Sequence, residues 1–172
     1  MQLNRLIKEL SQENILSPEI KTCIVRILSR KESRLMLPEE KARVKIDKQL
    51  RNVGWCIVSR NEYLPNSTVA VKEALMVGNT ESDYLLFIDG KAIAVVEAKR
   101  EENPLGDDVK KQAEDYAVSP QSWYALWFEK LIPLVYMANG NKIYFKNMLV
   151  EDSEYEELSQ MHSPKKMLQM VG

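Results

Sequence analysis

Asp89-Gly90, set between the apolar runs Tyr84 to Ile88 and Ala92 to Val96, constrains this chain more than any other feature. Asp-Gly between two such runs signals a β-hairpin, because a tight turn needs positive φ and glycine tolerates it. The full stretch, DYLLFIDGKAIAVVEAK, spans residues 83–99 and carries its charges at the end away from the turn: Asp83, Glu97 and Lys99. Strand side chains alternate between faces. Glu97 and Lys99 therefore share a face, expected to include Ile93 and Val95, while Ala92, Ala94, Val96 and Ala98 take the other.

Whether Asp83 joins Glu97 depends on the turn. A two-residue loop pairs Ile88 with Lys91 and Asp83 with Val96, which puts the two carboxylates on opposite faces. A three-residue loop, Ile88-Asp89-Gly90 with a G1 bulge, pairs Phe87 with Lys91 and leaves Asp83 opposite Val95, diagonal to Glu97 and on its face. The expected register is the second, since it gathers the charged ends.

Two neighbouring carboxylates repel unless something neutralises them. A hard divalent cation does so, and oxygen ligands suit Mg²⁺, which keeps several waters and accepts phosphate oxygens. A lysine alongside can orient a water or stabilise charge on a pentacovalent phosphate. Asp83 and Glu97 are thus candidate metal ligands and Lys99 a candidate catalytic group for phosphodiester hydrolysis. The residues alone also fit a surface hairpin with charged ends and an exposed Glu97–Lys99 ion pair.

Asp83, a hydrophobic hairpin and then Glu97-Ala98-Lys99 resembles the PD-(D/E)xK nuclease core. Asp83-Tyr84, Asp89-Gly90-Lys91 and Val96-Glu97-Ala98-Lys99-Arg100 are more similar still to the N-terminal endonuclease domain of type I restriction enzyme R subunits. Ser82 stands where the wider superfamily has proline. The resemblance spans about Glu39 to Asn147. It implies an α/β fold of the restriction-endonuclease type, with a central mixed sheet flanked by helices.

The flanking segments add to this. A helix is expected from Pro38, favourable at a first helical position, to about Asn52, with Gly54 as its stop. Its string Glu39, Arg43, Ile46-Asp47, Leu50, Gly54-Trp55 resembles the opening helix of the same nuclease domain, where a glutamate faces the metal. The resemblance gives that role to Glu39, with Glu40 as the fallback; by itself the pair reads as an acidic first turn complementing the helix dipole. Trp55 to Val58 reads as a short strand. Residues 59–80 are polar, with Val69 to Val77 ambiguous between strand and helix. After the hairpin a helix is expected from about Asp107 to Val118. There Gln112 and Tyr116, one turn apart, match the Gln-x-x-x-Tyr motif of helicase-fused nucleases, which implies that they line the active site.

Ser119-Pro120 reads as the cap of a short helix carrying Trp123/Trp127 and Tyr124/Phe128, a packing cluster. Leu131 to Met137 and Lys142 to Phe145 read as strands around Asn139-Gly140, and the acidic run 151–157 as a solvated helix start or linker. Ser163-Pro164 opens a further amphipathic segment. Residues 1–30 show helical spacing (Leu3, Leu6, Ile7, Leu10; Ile20, Ile24, Ile27, Leu28) and form an expected N-terminal helical extension. The expected organisation is an endonuclease domain over 1–150 and a linker over 151–172 toward a helicase motor.

Composition bounds the rest. With 172 residues, 45% hydrophobic and 28% charged, the chain suits one soluble domain with a proper core. No long apolar run or signal-peptide pattern points to a membrane or to export, so a cytoplasmic protein is expected. Cys23 and Cys56 match no metal spacing and are expected as buried, reduced thiols. A net charge of −1 means that any DNA-binding surface is local or supplied by other domains. The lone His162 supports neither a histidine triad nor a histidine-rich metal site. No Gly-x-x-x-x-Gly-Lys-Ser/Thr loop occurs, so an ATP site is expected only in a longer R subunit of which this chain is a piece. The expected function is Mg²⁺-dependent cleavage of double-stranded DNA alongside methyltransferase and specificity subunits. A repair or helicase-associated nuclease of the same fold, and a catalytically silent module that docks a motor or methyltransferase, are the alternatives.

Overall fold

The computed structural model describes residues 37–172. The expected helices over 1–30 lie outside the described residues, as does the side chain of Glu39. From Pro38 the chain forms one compact unit. In order it runs α1 (Pro38–Asn52), β1 (Ile57–Ser59), β2 (Val69–Met76), β3 (Thr80–Ile88), β4 (Lys91–Ala98), α2 (Asp107–Val118), β5 (Ala125–Leu126), β6 (Leu134–Ala138), β7 (Ile143–Asn147), β8 (Glu156–Leu158) and α3 (Pro164–Val171). All eight strands join one mixed sheet in the order β1-β2-β3-β4-β6-β7-β8, with β5 pairing the start of β4. β1 with β2 and β4 with β5 and β6 are parallel; the other pairs are antiparallel.

Each face of the sheet has its own core. One holds Ile46 and Leu50 of α1 and Met167 of α3 against Leu86, Ile93, Ala94, Val96 and Tyr136. The other holds Val109, Ala113 and Ala117 of α2 against Leu85, Phe87, Val95 and Val135. The three α2 residues recur every fourth position and two are alanines, so the helix backbone lies close to the sheet. β4 is buried along nearly its whole length between these layers. Fully burying a Leu, Ile or Val contributes about 1.5–3 kcal/mol, so the hairpin is held by its apolar residues and not by its charged ends.

The hairpin register differs from the expected one. Asp89-Gly90 forms a two-residue loop, pairing Ile88 with Lys91 and Phe87 with Ala92. Asp89 and Gly90 have φ of 49° and 76°, as a type I′ turn requires. The register then shifts: Leu86 pairs with Ala94 and Tyr84 with Val96, so Ile93 is an unpaired bulge residue. Ile93 and Ala94 consequently both reach the α1-side core, while Ala92 packs on the α2 side, against the expected alternation. Two facts favour this solution. Ile88, which a three-residue loop would place in the turn, stays buried in the core. The turn also docks on the preceding loop, with Gly90 N donating to Ser67 O (3.0 Å) and Asp89 N to Thr68 Oγ1 (3.2 Å).

Other expectations are resolved or corrected. Val69–Met76 is wholly strand, because β3 supplies a continuous partner. Residues after Ser119 form no helix: Pro120 bridges Met76, and Ala125-Leu126 adds β5 beside β4. The acidic stretch is no linker, since Glu156–Leu158 pairs with β7 and Met161 and Met167 are buried in the core. Its glutamates remain exposed, which suits a sheet edge. Cys56 is exposed and unbridged; Cys23 lies outside the described residues. Among the described residues no helix is long and apolar enough to cross a membrane.

A Cβ at Gly90 would lie 2.5 Å from the backbone nitrogen of Asn66, in a backbone region that alanine resists. Gly90→Ala is therefore expected to destabilise the unit by roughly 2–3 kcal/mol, measured by urea unfolding. A loss below about 0.5 kcal/mol would show that the turn docking is not as described.

Candidate active site

The charged residues gather at the end of the hairpin remote from the turn. Extending the observed register by one residue brings Asp83 of β3 opposite Glu97 of β4. The bulge thus achieves what the sequence reading assigned to a three-residue loop. Ala98 N donates to Asp83 Oδ2 (2.7 Å), tying the first carboxylate to the strand that carries the second. Lys99 N donates to Ala138 O (2.9 Å), which continues the parallel β4–β6 ladder and fixes the lysine backbone.

From there a chain of polar contacts runs to α2. Lys99 Nζ donates to Glu97 Oε1 (2.7 Å) and to Gln112 Oε1 (2.9 Å), and Gln112 Nε2 donates to Tyr116 Oη (3.3 Å). Asp83, Glu97, Lys99 and Gln112 line a cleft of about 390 Å³, together with Arg43, Glu81, Arg100 and Asn103. Tyr116 instead lines the neighbouring groove and reaches the cleft through Gln112. The side chains of Asp83 and Glu97 are 11% and 4% exposed and that of Lys99 26%, so the carboxylates lie deepest and the lysine is the most open of the three.

Two positioning features were not read from the sequence as part of the site. Arg43 of α1 donates to Asp83 Oδ1 and, through its other terminal nitrogen, to Glu73 Oε1 (3.1 Å). Its placement follows from Asp47, one turn further on, which accepts from Tyr84 Oη (2.8 Å) and Lys72 Nζ (2.6 Å). The Asp47–Tyr84 contact pins the helix to β3 and brings Arg43 to Tyr84's neighbour, Asp83. The Glu39–Arg43–Asp47 spacing was the available signal. The second feature is Asn139. Its amide donates to Glu101 O (3.3 Å) and Asn103 O (3.1 Å), and its carbonyl accepts from Asn141 N (3.2 Å) and Lys142 N (2.9 Å). All four of its hydrogen-bonding positions are used. Asn139 thereby holds the Arg100–Asn103 loop against the β6–β7 turn; in the sequence it read only as a hairpin signal.

The electrostatics follow from burial. Burial pushes the Glu97 carboxyl up to about 7, and the Asp83 charge adds to this against Lys99 and Arg43. Asp83 is raised as well, chiefly by burial, despite the Ala98 hydrogen bond and Arg43. For Lys99 burial acts downward, but the hydrogen bond and charge of Glu97, with Asp83 and Tyr116, outweigh it, and its net shift is upward. Glu97 Oε2 is buried with no hydrogen-bond partner. An ionised carboxylate oxygen in that position is costly unless a cation takes it.

Among the described residues no group of three or more His, Cys, Asp or Glu could hold a metal. Two hard carboxylates with an open oxygen fit Mg²⁺, which binds through one or two carboxylates and keeps its waters, and do not fit a closed zinc site.

The Glu97 shift gives a pH dependence with a definite sign. Its folded value of about 7 lies above the ordinary 4.5, so its contribution to stability is full below 4.5 and is lost as pH rises through about 7. Without divalent metal, Glu97→Gln should therefore gain melting temperature relative to the unsubstituted chain between about pH 5 and about pH 8. A relative loss over that range would contradict the burial argument.

Residues 60–171 match the family model described as the type I restriction enzyme EcoKI endonuclease subunit second domain. That range contains Asp83, Glu97, Lys99, Gln112 and Tyr116; Glu39 and Arg43 precede it. Among solved structures, the fragment of a putative HsdR subunit of a type I restriction enzyme from Vibrio vulnificus YJ016 is similar at 24% identity and a TM-score of 0.51. The match covers 79% of this chain and 25% of that one, and at this identity it is a likeness of fold. No curated protein matches the sequence. The chain belongs to the type I restriction enzyme endonuclease-subunit family represented by the EcoKI second domain, with an α/β core of the restriction-endonuclease type.

Proposed function

We propose that this domain is a Mg²⁺-dependent endonuclease that hydrolyses phosphodiester bonds of double-stranded DNA as part of a type I restriction complex. The observation that carries the reading is Asp83 opposite Glu97, with the Lys99 ammonium bridging Glu97 to Gln112. Asp83 and Glu97 would hold the metal, which when bound supplies a Lewis acid and an acidified water.

The protein's own part is positional. Lys99 presents an ammonium in the cleft, where it orients the attacking water and offsets charge on the phosphate oxygens. Gln112 fixes the lysine tip, and Tyr116 fixes Gln112. Glu39 belongs to the proposal as a carboxylate on α1 acting through water. The matched HsdR chain is about four times as long as the part this chain covers. ATP-driven translocation, sequence recognition and methylation are accordingly proposed for other segments and for methyltransferase and specificity subunits, in the cytoplasm.

The silent docking module remains a second reading for a specific reason. Arg43 and Lys99 already neutralise Asp83 and Glu97 within the fold. Substitution separates the two. In the full-length subunit assembled with its partners, Lys99→Ala should lower DNA cleavage at least about 100-fold while ATP hydrolysis and thermal stability persist. Asp83→Asn should do the same and also weaken Mg²⁺ binding. Undiminished cleavage in the folded Lys99→Ala complex would contradict the proposal.

A further inference from the structure

Arg43 occupies one of the two carboxylates proposed to hold the divalent cation. Its guanidinium lies on Asp83 Oδ1, the carboxylate oxygen that the backbone of Ala98 leaves open. Its other arm goes to Glu73, which faces Asp83 across the β2–β3 ladder between the pairs Lys72–Tyr84 and Ala74–Ser82. Glu73 has a φ of 52°, unusual for a non-glycine residue. Across this irregularity the register is unchanged, yet Lys72 reaches Asp47 of α1 while Ala74 packs in the α2-side core. A left-handed non-glycine residue is strained and persists only where its surroundings over-determine it. Arg43 is thus held between two acidic anchors, with 35% of its side chain open to solvent at the cleft that the substrate backbone would enter.

We infer that Arg43 is a resident cation that competes with the divalent metal for Asp83 and is drawn off it by a DNA phosphate. The inference rests on the metal-dependent reading above. A metal that took the Asp83 Oδ1 lone pair now facing Arg43 would displace the guanidinium, so the two cations compete for that position. A phosphate offers the guanidinium a bidentate partner at least as good as a carboxylate. The Glu73 anchor keeps the arginine near the cleft while it changes partner. The consequence is thermodynamic coupling: DNA backbone in the cleft strengthens metal binding, and by reciprocity metal strengthens DNA binding. Without substrate, the carboxylate pair stays neutralised by the protein itself, which holds the metal off until there is a bond to cut.

The test is calorimetric titration of Ca²⁺, used so that DNA is not cleaved, into the whole chain at about pH 8, with and without a short duplex. Four proteins are compared: unsubstituted, Arg43→Met, Arg43→Gln and Asp83→Ala/Glu97→Ala. Thermal melts confirm that each is folded, and two neutral replacements of the half-exposed arginine guard against one failing to fold. The inference expects weak Ca²⁺ binding by the unsubstituted chain, strengthened about tenfold by duplex. In both Arg43 variants binding should be about tenfold tighter without duplex, and duplex should add little. Ca²⁺ binding that is unchanged or weaker in both variants, yet lost in the double carboxylate variant, overturns the competition and leaves the metal site standing. No Ca²⁺ binding by any folded form, with or without duplex, overturns the competition and the metal-dependent reading together.

Discussion

Ile93 has no partner across the β3–β4 ladder, and the rest of the site depends on that one unpaired residue. Upstream of it, the type I′ turn and the burial of Ile88 set one register. Downstream, the bulge turns the end of β4 over, so that Glu97 and Lys99 emerge on the α2 side, opposite Asp83. Without the extra residue Asp83 would face Val96, and the two carboxylates would lie on opposite faces of the sheet. A bulge costs one ladder pairing. The cores on both faces offset this, since Ile93 and Ala94 are fully buried on one and Val95 on the other.

Once the carboxylates face each other, their repulsion and desolvation organise the neighbourhood. Each is met by a cation from a different direction: Asp83 by Arg43 on α1, Glu97 by Lys99 on its own strand. The cations are themselves positioned. Asp47 locks α1 to Tyr84, while Gln112 and Tyr116 hold Lys99 from α2. The arrangement leaves the buried Glu97 Oε2 without a hydrogen-bond partner. A fold optimised for stability alone would not leave a carboxylate there, with its affinity for protons raised to about 7.

What was legible in the sequence follows from how local each signal is. Pro38 and Gly54 bound α1, and the residues Asp107 to Val118 fold as the expected α2, because caps and apolar stripes act within a few residues. Gln112 was assigned to the site only by the resemblance to helicase-fused nucleases, and Asp83 only through the other register. The hairpin itself was legible from Asp89-Gly90, and the shared face of Glu97 and Lys99 from strand alternation. The bulge position was not, because it depends on which of two registers buries Ile88. Nor was β2, whose Lys72-to-Met76 run suits a helix until β3 pairs with it. β8 was hidden by the exposed glutamates that protect a sheet edge. Arg43 and Glu73 lie 40 and 10 residues from Asp83 in the chain, and only the packed helix and a left-handed backbone bring them to it.

The most direct measurement is anomalous diffraction from crystals of this chain grown with Mn²⁺ and a short DNA duplex. The account predicts a manganese peak bonded to carboxylate oxygens of both Asp83 and Glu97, with the Arg43 guanidinium moved onto a backbone phosphate. Duplex bound in the cleft, with no manganese between those carboxylates and Arg43 still on Asp83, would contradict it.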